Sequence, residues 1–400
     1  MSILTVYCLA VISILPQIRA LPSFNYIWPL LIMVWIFFSF LANPLYFIRP
    51  SLHRLYTYIF FGYVIVIAYI SGNGFIGNRF FEFMQVFIFY WAYEINKKRG
   101  RQEDGIKLIL YLVPVVTIIC ATSISRYQTS PYASRLAKKD TTSGLELMSQ
   151  GIGGYEFIYF LLFVAMIMLY VIAYKGSNIK VIPRVGFMTL LLIILATLVF
   201  SNFTTVLLML SLSLIVRIFF PHVKRYTLLL FLSAISVTTI FLQYIAESVV
   251  HLFSLESGLS MNSQRLMELY ESLSYSTIGA SIGARYSAFS ESIVTFFDNP
   301  ILGAILINIR GVDVIGWHSF ALDTFALYGI FVGALFLYVW IQPLISIVRQ
   351  KSVNHSTLPV LMLVSSIILF FLNNMTPSIG FVLYFIFPTI FDWWQLNLKK

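Results

Sequence analysis

One pattern dominates the chain: an apolar run of roughly bilayer length, then a short turn that holds Lys or Arg. A run of about 20 apolar residues is what a helix needs to cross the hydrocarbon core. In lipid a backbone can satisfy its own polar groups only as a helix or a closed barrel. The runs fall near 2–16, 24–43, 55–71, 77–95, 106–124, 154–174, 184–201, 203–220, 226–246, 325–348, 357–373 and 380–396. The expected class is all-α: a polytopic transmembrane bundle of about 12 spans, built as a single integral membrane domain over 1–400. Composition agrees, with 59% hydrophobic and 10% charged residues against about 25% charged in soluble domains.

The basic turns fix an expected orientation. Arg49 and Arg54 follow the second run; Lys97, Lys98, Arg99, Arg101 and Lys107 follow the fourth. Lys175, Lys180 and Arg184 follow the sixth, and Arg217, Lys224 and Arg225 surround the end of the eighth. Arg349 and Lys351 follow the tenth, and Lys399 and Lys400 close the sequence. With the runs as counted, all lie on one side, which the positive-inside rule makes cytoplasmic, together with both termini. The first run lacks a basic leader and a small-residue cleavage site, so it reads as a retained span. Between runs seven and eight the chain must reverse within a very tight turn at Ser201-Asn202. Cys8 and Cys120 sit in apolar runs outside any motif, so neither a disulfide nor a metal framework is expected.

Two outward segments are too long for turns, 125–153 and 247–316. Long segments of this kind are usually functional. The second holds helical patterns of its own. In N-S-Q-R-L-M-E-L-Y-E-S-L from Asn262, Leu266, Leu269, Tyr270 and Leu273 share one face. In the stretch that starts G-A-R-Y-S-A-F, the apolar positions Tyr286, Phe289, Ile293, Phe296 and Phe297 recur at helical spacing until Asn299-Pro300 ends the run. Arg285 leads that pattern and His318 leads the next, where Leu322, Phe325 and Ala326 share a side. Helix starts carry unpaired N–H groups and partial positive charge, and an Arg fork beside an imidazole there would bind a phosphate.

The cations have plainer readings as well. Arg265 has Glu268 at i+3, so a helix-face ion pair and anion recognition both stand. Arg285 has Phe289 at i+4 and no carboxylate on its face. Arg310 lies in an unpatterned loop with Asp313 and reads as paired. Arg126 and Arg135 suit either anion binding or solvation of the 125–153 loop. His318, beside Trp317, could be an interface residue; a neutral imidazole at a helix start could also accept a proton. Arg79, Glu82, Glu156 and Asp323 lie near outer span ends, and no ionisable residue falls at a span centre. Ion-coupled carriers commonly place charges there. No nucleotide loop, zinc spacing or Ser-His-Asp order is visible.

The order of features resembles the O-antigen polymerase and O-antigen ligase superfamily of bacterial envelope enzymes. The likeness rests on an Arg-led helix closing in D-N-P-I-L-G, then H-S-F-A-L ahead of Y-G-I-F-V-G. Arg285, Pro300, Gly303 and His318-Ser319 stand where that family has a loop Arg, a P-x-x-G turn and a His before the next span. Some fifty residues carry the likeness, the rest only by topology; Ala304-Ile305-Leu306 stands where a second Gly usually follows. The resemblance implies a glycosyltransferase of the inner membrane, working at its outer face without metal, nucleotide or other cofactor. Its substrates would be oligosaccharides linked to polyprenyl (undecaprenyl) diphosphate, with membrane lipids around it. A chain-length regulator and a flippase would be its protein partners, and nucleic acid none. It implies His318 and Arg285 as catalytic, with Arg285, Arg265, His318, Arg126 and Arg135 toward the diphosphate. An acceptor hydroxyl would attack the anomeric carbon of the growing chain and lipid diphosphate would leave. Polymerisation of repeat units for O-antigen, capsule or exopolysaccharide is the expected activity. Ligation to a lipid A core, a lipid-linked oligosaccharide flippase or another transporter, and a structural scaffold are the alternatives.

Overall fold

The computed structural model describes residues 2–71, 74–130, 132–137, 141–173, 184–219, 280–307, 315–316, 319–349 and 357–398. Among these the chain is helical, with no strand. Helices stand at each expected run except the ninth, 226–246, which lies outside the described residues. Phe24–Ala42, Gln102–Thr129 and Phe320–Val348 are long and apolar enough to cross a membrane, and several shorter helices are apolar. The described residues belong to two compact units: Met1–Arg217 with Gln342–Ser352 and Met375–Lys400, and Ile218–Ile341 with Val353–Asn374.

The first unit packs around Gly74–Lys98, whose buried aromatics meet the C-terminal helices. Phe89 lies 4.8 Å from Phe381, ring centre to ring centre, and Phe381 stacks on Phe385. That approach needs Gly380, because a Cβ there would lie 2.6 Å from the methyls of Val86. Gln85 Nε2 donates to Leu9 O at 3.0 Å and to Ser13 Oγ at 2.7 Å, tying Ser2–Ile14 to the same helix. Such bonds give apolar helices a register that lipid-like surfaces alone do not specify. Five residues of π-helix, Val382–Ile386, precede Phe387–Leu398.

The expected 125–153 loop is largely helical. Gln102–Thr129 runs through Arg126, and two short helices follow, Ala133–Leu136 and Thr142–Ser149, the latter capped by Thr141 Oγ1 accepting from Gly144 N at 3.1 Å. The reversal at Ser201-Asn202 is as tight as expected: Arg184–Phe200 and Thr204–Phe219 are joined through Asn202 at φ 55°, a value Asn tolerates better than most residues.

Candidate functional site

In the second unit the motif residues fold onto one another. Ala280–Asp298 stops at Asn299, whose amide donates to Thr295 O and Phe296 O, and Pro300 has no amide to continue with. Gly303 N then donates to Asn299 O at 3.0 Å, closing the N-P-I-L-G turn. This turn docks in a break of Phe320–Val348, where Gly329 leaves helical geometry at φ 70°, ψ −176°. Ile330 N, just past the break, donates to Pro300 O at 2.8 Å. The seam is backbone against backbone: a Cβ on Gly303 would lie 2.5 Å from Gly329 N, and one on Gly329 would lie 2.8 Å from Gly303 N, with carbonyl oxygens closer still.

A second seam lies at the other end of the same helix pair. Gly316 rests on the backbone of Ala288, where a Cβ would come 2.5 Å from Ala288 Cα. Gly316 N donates to Ser292 Oγ at 3.1 Å, and Ser292 Oγ donates to Asp323 Oδ1 at 2.6 Å. Asp323 Oδ2 accepts from Ser319 N at 3.2 Å, while Ser319 Oγ accepts from Leu322 N at 3.2 Å. Ser319 and Asp323 thus cap the helix start reciprocally, a variant of the capping box with the acid one residue later. Ser292, Ser319 and Asp323 are 1%, 0% and 4% exposed, so this polar chain is enclosed, and burial makes each of its bonds expensive to leave unmade. Phe320 N reaches Asn373 O at 3.2 Å, and the Phe320 ring packs on Phe336, Trp340 and Phe370.

Arg285 lies within Ala280–Asp298, five residues past its start. It does not open the helix, because Ala280 to Gly283 already belong to it. His318 and Arg265 lie outside the described residues, as do Arg310 and Asp313. The helix after His318 is capped by Ser319, a stronger capping type, so His318 precedes the cap rather than forming it. In the first unit Arg126 is exposed at the end of its helix. Arg135 donates through Nη2 to Asn202 O at 2.9 Å and lies over the Phe203 ring at 5.3 Å. Ser134 Oγ adds a bond to Ser201 O at 2.8 Å. Ala133–Leu136 therefore caps the reversal, and Arg135 has a structural task there.

Two polar features escaped the sequence reading. Arg19 forms a two-pronged ion pair with Glu156, with Nη2 to Oε1 at 2.6 Å. Burial works against the Arg19 charge, yet the Glu156 carboxylate more than offsets it, and the guanidinium pKa is raised. The second is Ser292, whose only sequence signal is a small polar residue inside an aromatic helical stripe. The first unit also holds an apolar cavity of about 140 Å³ between Gln102–Thr129, Tyr155–Ala173, Arg184–Phe200 and the C-terminal helices; Val113, Val164, Leu190 and Trp393 are among its lining residues. Among the described residues no three His, Cys, Asp or Glu side chains gather as metal ligands would. In comparison with known proteins, no family model, no curated relative and no solved structure matches the chain.

Proposed function

We propose that the chain is a multi-pass inner-membrane glycosyltransferase that polymerises lipid-linked oligosaccharide repeat units at the outer face. The reading takes about 12 spans with both termini inside, and the segment 247–316 outside. The carrying observation is that the Arg285 helix, the N-P-I-L-G turn and the helix after His318 form one interlocked frame, joined at Gly303–Gly329 and Gly316–Ala288. Such a frame can hold a cation and a proton acceptor at fixed separation, which catalysis by positioning and electrostatics requires. Arg285 binds the leaving diphosphate, each charge-assisted bond being worth about 1.5–3 kcal/mol. Arg265 adds positive charge toward it, while Arg135 of the first unit is engaged with Asn202. His318 takes the proton of the attacking hydroxyl. A cavity lined by apolar side chains, such as that of the first unit, suits a stretch of prenyl chain.

The test is glycan length on a gel in cells that carry Arg285→Ala or lack the gene. Single repeats in place of a ladder are expected, with membrane expression of the variant normal. Arg285→Lys restores extension only in part, since an ammonium lacks the planar fork. A normal ladder with Arg285→Ala refutes the assigned role. Loss of all lipid A-linked glycan after deletion points to a ligase, and lipid-linked repeats trapped on the cytoplasmic face point to a flippase.

A further inference from the structure

We infer that Asp323 and Ser292 are positioning residues, a buried clasp that sets the chain on both sides of His318. The inference rests on the reading just given for what His318 does. One carboxylate holds two separate segments: Oδ1 accepts from Ser292 of the Arg285 helix at 2.6 Å, and Oδ2 accepts from the amide of Ser319 at 3.2 Å. Ser292 Oγ in turn accepts from Gly316 N at 3.1 Å. The chain is thereby pinned at Gly316 and again at Ser319, three residues on. Two residues, Trp317 and His318, lie between the pins, and each can span at most about 3.3–3.6 Å of chain. His318 is bonded directly to Ser319, so whatever fixes the Ser319 amide bounds the reach of His318.

The clasp also explains what Asp323 is for. As an ionisable group at a helix start in an outer segment it is a plausible proton acceptor on paper. Both its oxygens are engaged, it is 4% exposed, and its geometry is that of a capping carboxylate. A general base must reach the proton it removes; this carboxylate faces Ser292 and the Ser319 amide. Asp323 therefore acts through the residues it holds. Ser292 makes the connection specific to the Arg285 helix: its hydroxyl donates to one segment and accepts from the other, a double role that Ala cannot fill.

The experiment has two independent readouts on the full-length protein. In a background with Cys8→Ala and Cys120→Ala, a His318→Cys probe is labelled in membranes with a water-soluble maleimide, with and without Asp323→Asn or Ser292→Ala. Each clasp variant is expected to change the labelling rate several-fold, and the double variant no more than either alone, since both break one connected path. With His318 intact, chain extension is measured on purified protein with lipid-linked repeat units. The expected outcome is a fall in turnover of up to about 10²-fold at unchanged half-saturation, the signature of misplaced reacting groups. Ser292→Thr, which keeps the hydroxyl, restores most of it. Unchanged labelling overturns the clasp whatever the activity. Altered labelling with parental turnover in both variants overturns its role in positioning. Altered labelling in a protein whose parent extends no chains upholds the clasp and overturns the polymerase reading instead.

Discussion

The seam between Gly303 and Gly329 makes a quantitative prediction that does not depend on function. Gly329 sits at φ 70°, ψ −176°, a region essentially restricted to glycine, where another residue costs about 1–3 kcal/mol. Its Cβ would also lie 2.8 Å from Gly303 N and closer to the Ile301 carbonyl. Both are backbone atoms, so relief requires the turn to move and the Ile330 N to Pro300 O bond to stretch or break, a further ~0.5–1.5 kcal/mol. Gly329→Ala should thus destabilise by roughly 1.5–4.5 kcal/mol. Gly62 provides the matched control: it lies within Leu52–Ser71, and a Cβ there meets nothing within 4 Å. Gly62→Ala should be stabilising, by about 0.5–1 kcal/mol, because Ala loses less backbone entropy in a helix. Equilibrium unfolding of both variants in mixed detergent–SDS micelles would measure the contrast. If Gly329→Ala unfolds at the same midpoint as Gly62→Ala, the two backbones do not meet at the seam and the helices are not interlocked there.

Two further outcomes are expected. Removing one partner of Arg19–Glu156 should cost about 2–3 kcal/mol, below the 3–5 of a fully buried pair because the side chains remain 19% and 25% exposed; additive effects in a double-mutant cycle would show that the pair is not coupled. His318→Gln should lose most chain extension, and the parent's rate should fall as pH drops through the imidazole range near ~6.5, since only the neutral form accepts a proton. A flat parental profile with a fully active His318→Gln would leave His318 without the base role.

Much of the helix placement is legible in sequence because each apolar run reports on its own surroundings. Asn299-Pro300 ends Ala280–Asp298 where the missing amide demands. Pairing is another matter. Where a helix is apolar all round, no stripe marks the neighbour it will meet, and partner choice passes to small residues and a few polar groups. Gly303 and Gly329, Ser292 and Asp323 (31 residues apart), and Arg19 and Glu156 (137 apart) carry that information. None is visible to a periodicity argument. Helix starts were less legible than helix ends: Arg285 sits inside its helix because Ala280 to Gly283 extend it, and Ser319 outcompetes His318 for the capping position. The break at Gly329 hides within the apolar run F-A-L-Y-G-I-F-V-G, where no polar residue marks it.

The cap on the Ser201-Asn202 reversal has a consequence for synthesis. Ser134 and its partner Ser201 are 67 residues apart, as are Arg135 and Asn202. At about 5–20 residues per second, the short helix emerges roughly 3–13 seconds before the carbonyls it will bind exist. For that interval the Arg135 guanidinium lacks its Asn202 partner, and Ala133–Leu136 cannot yet be fixed in place. The reversal between Arg184–Phe200 and Thr204–Phe219 must form before the segment ahead of it can settle. Maturation of this end of the bundle therefore runs backward along the chain: the later hairpin is the template, and the earlier helix closes over it.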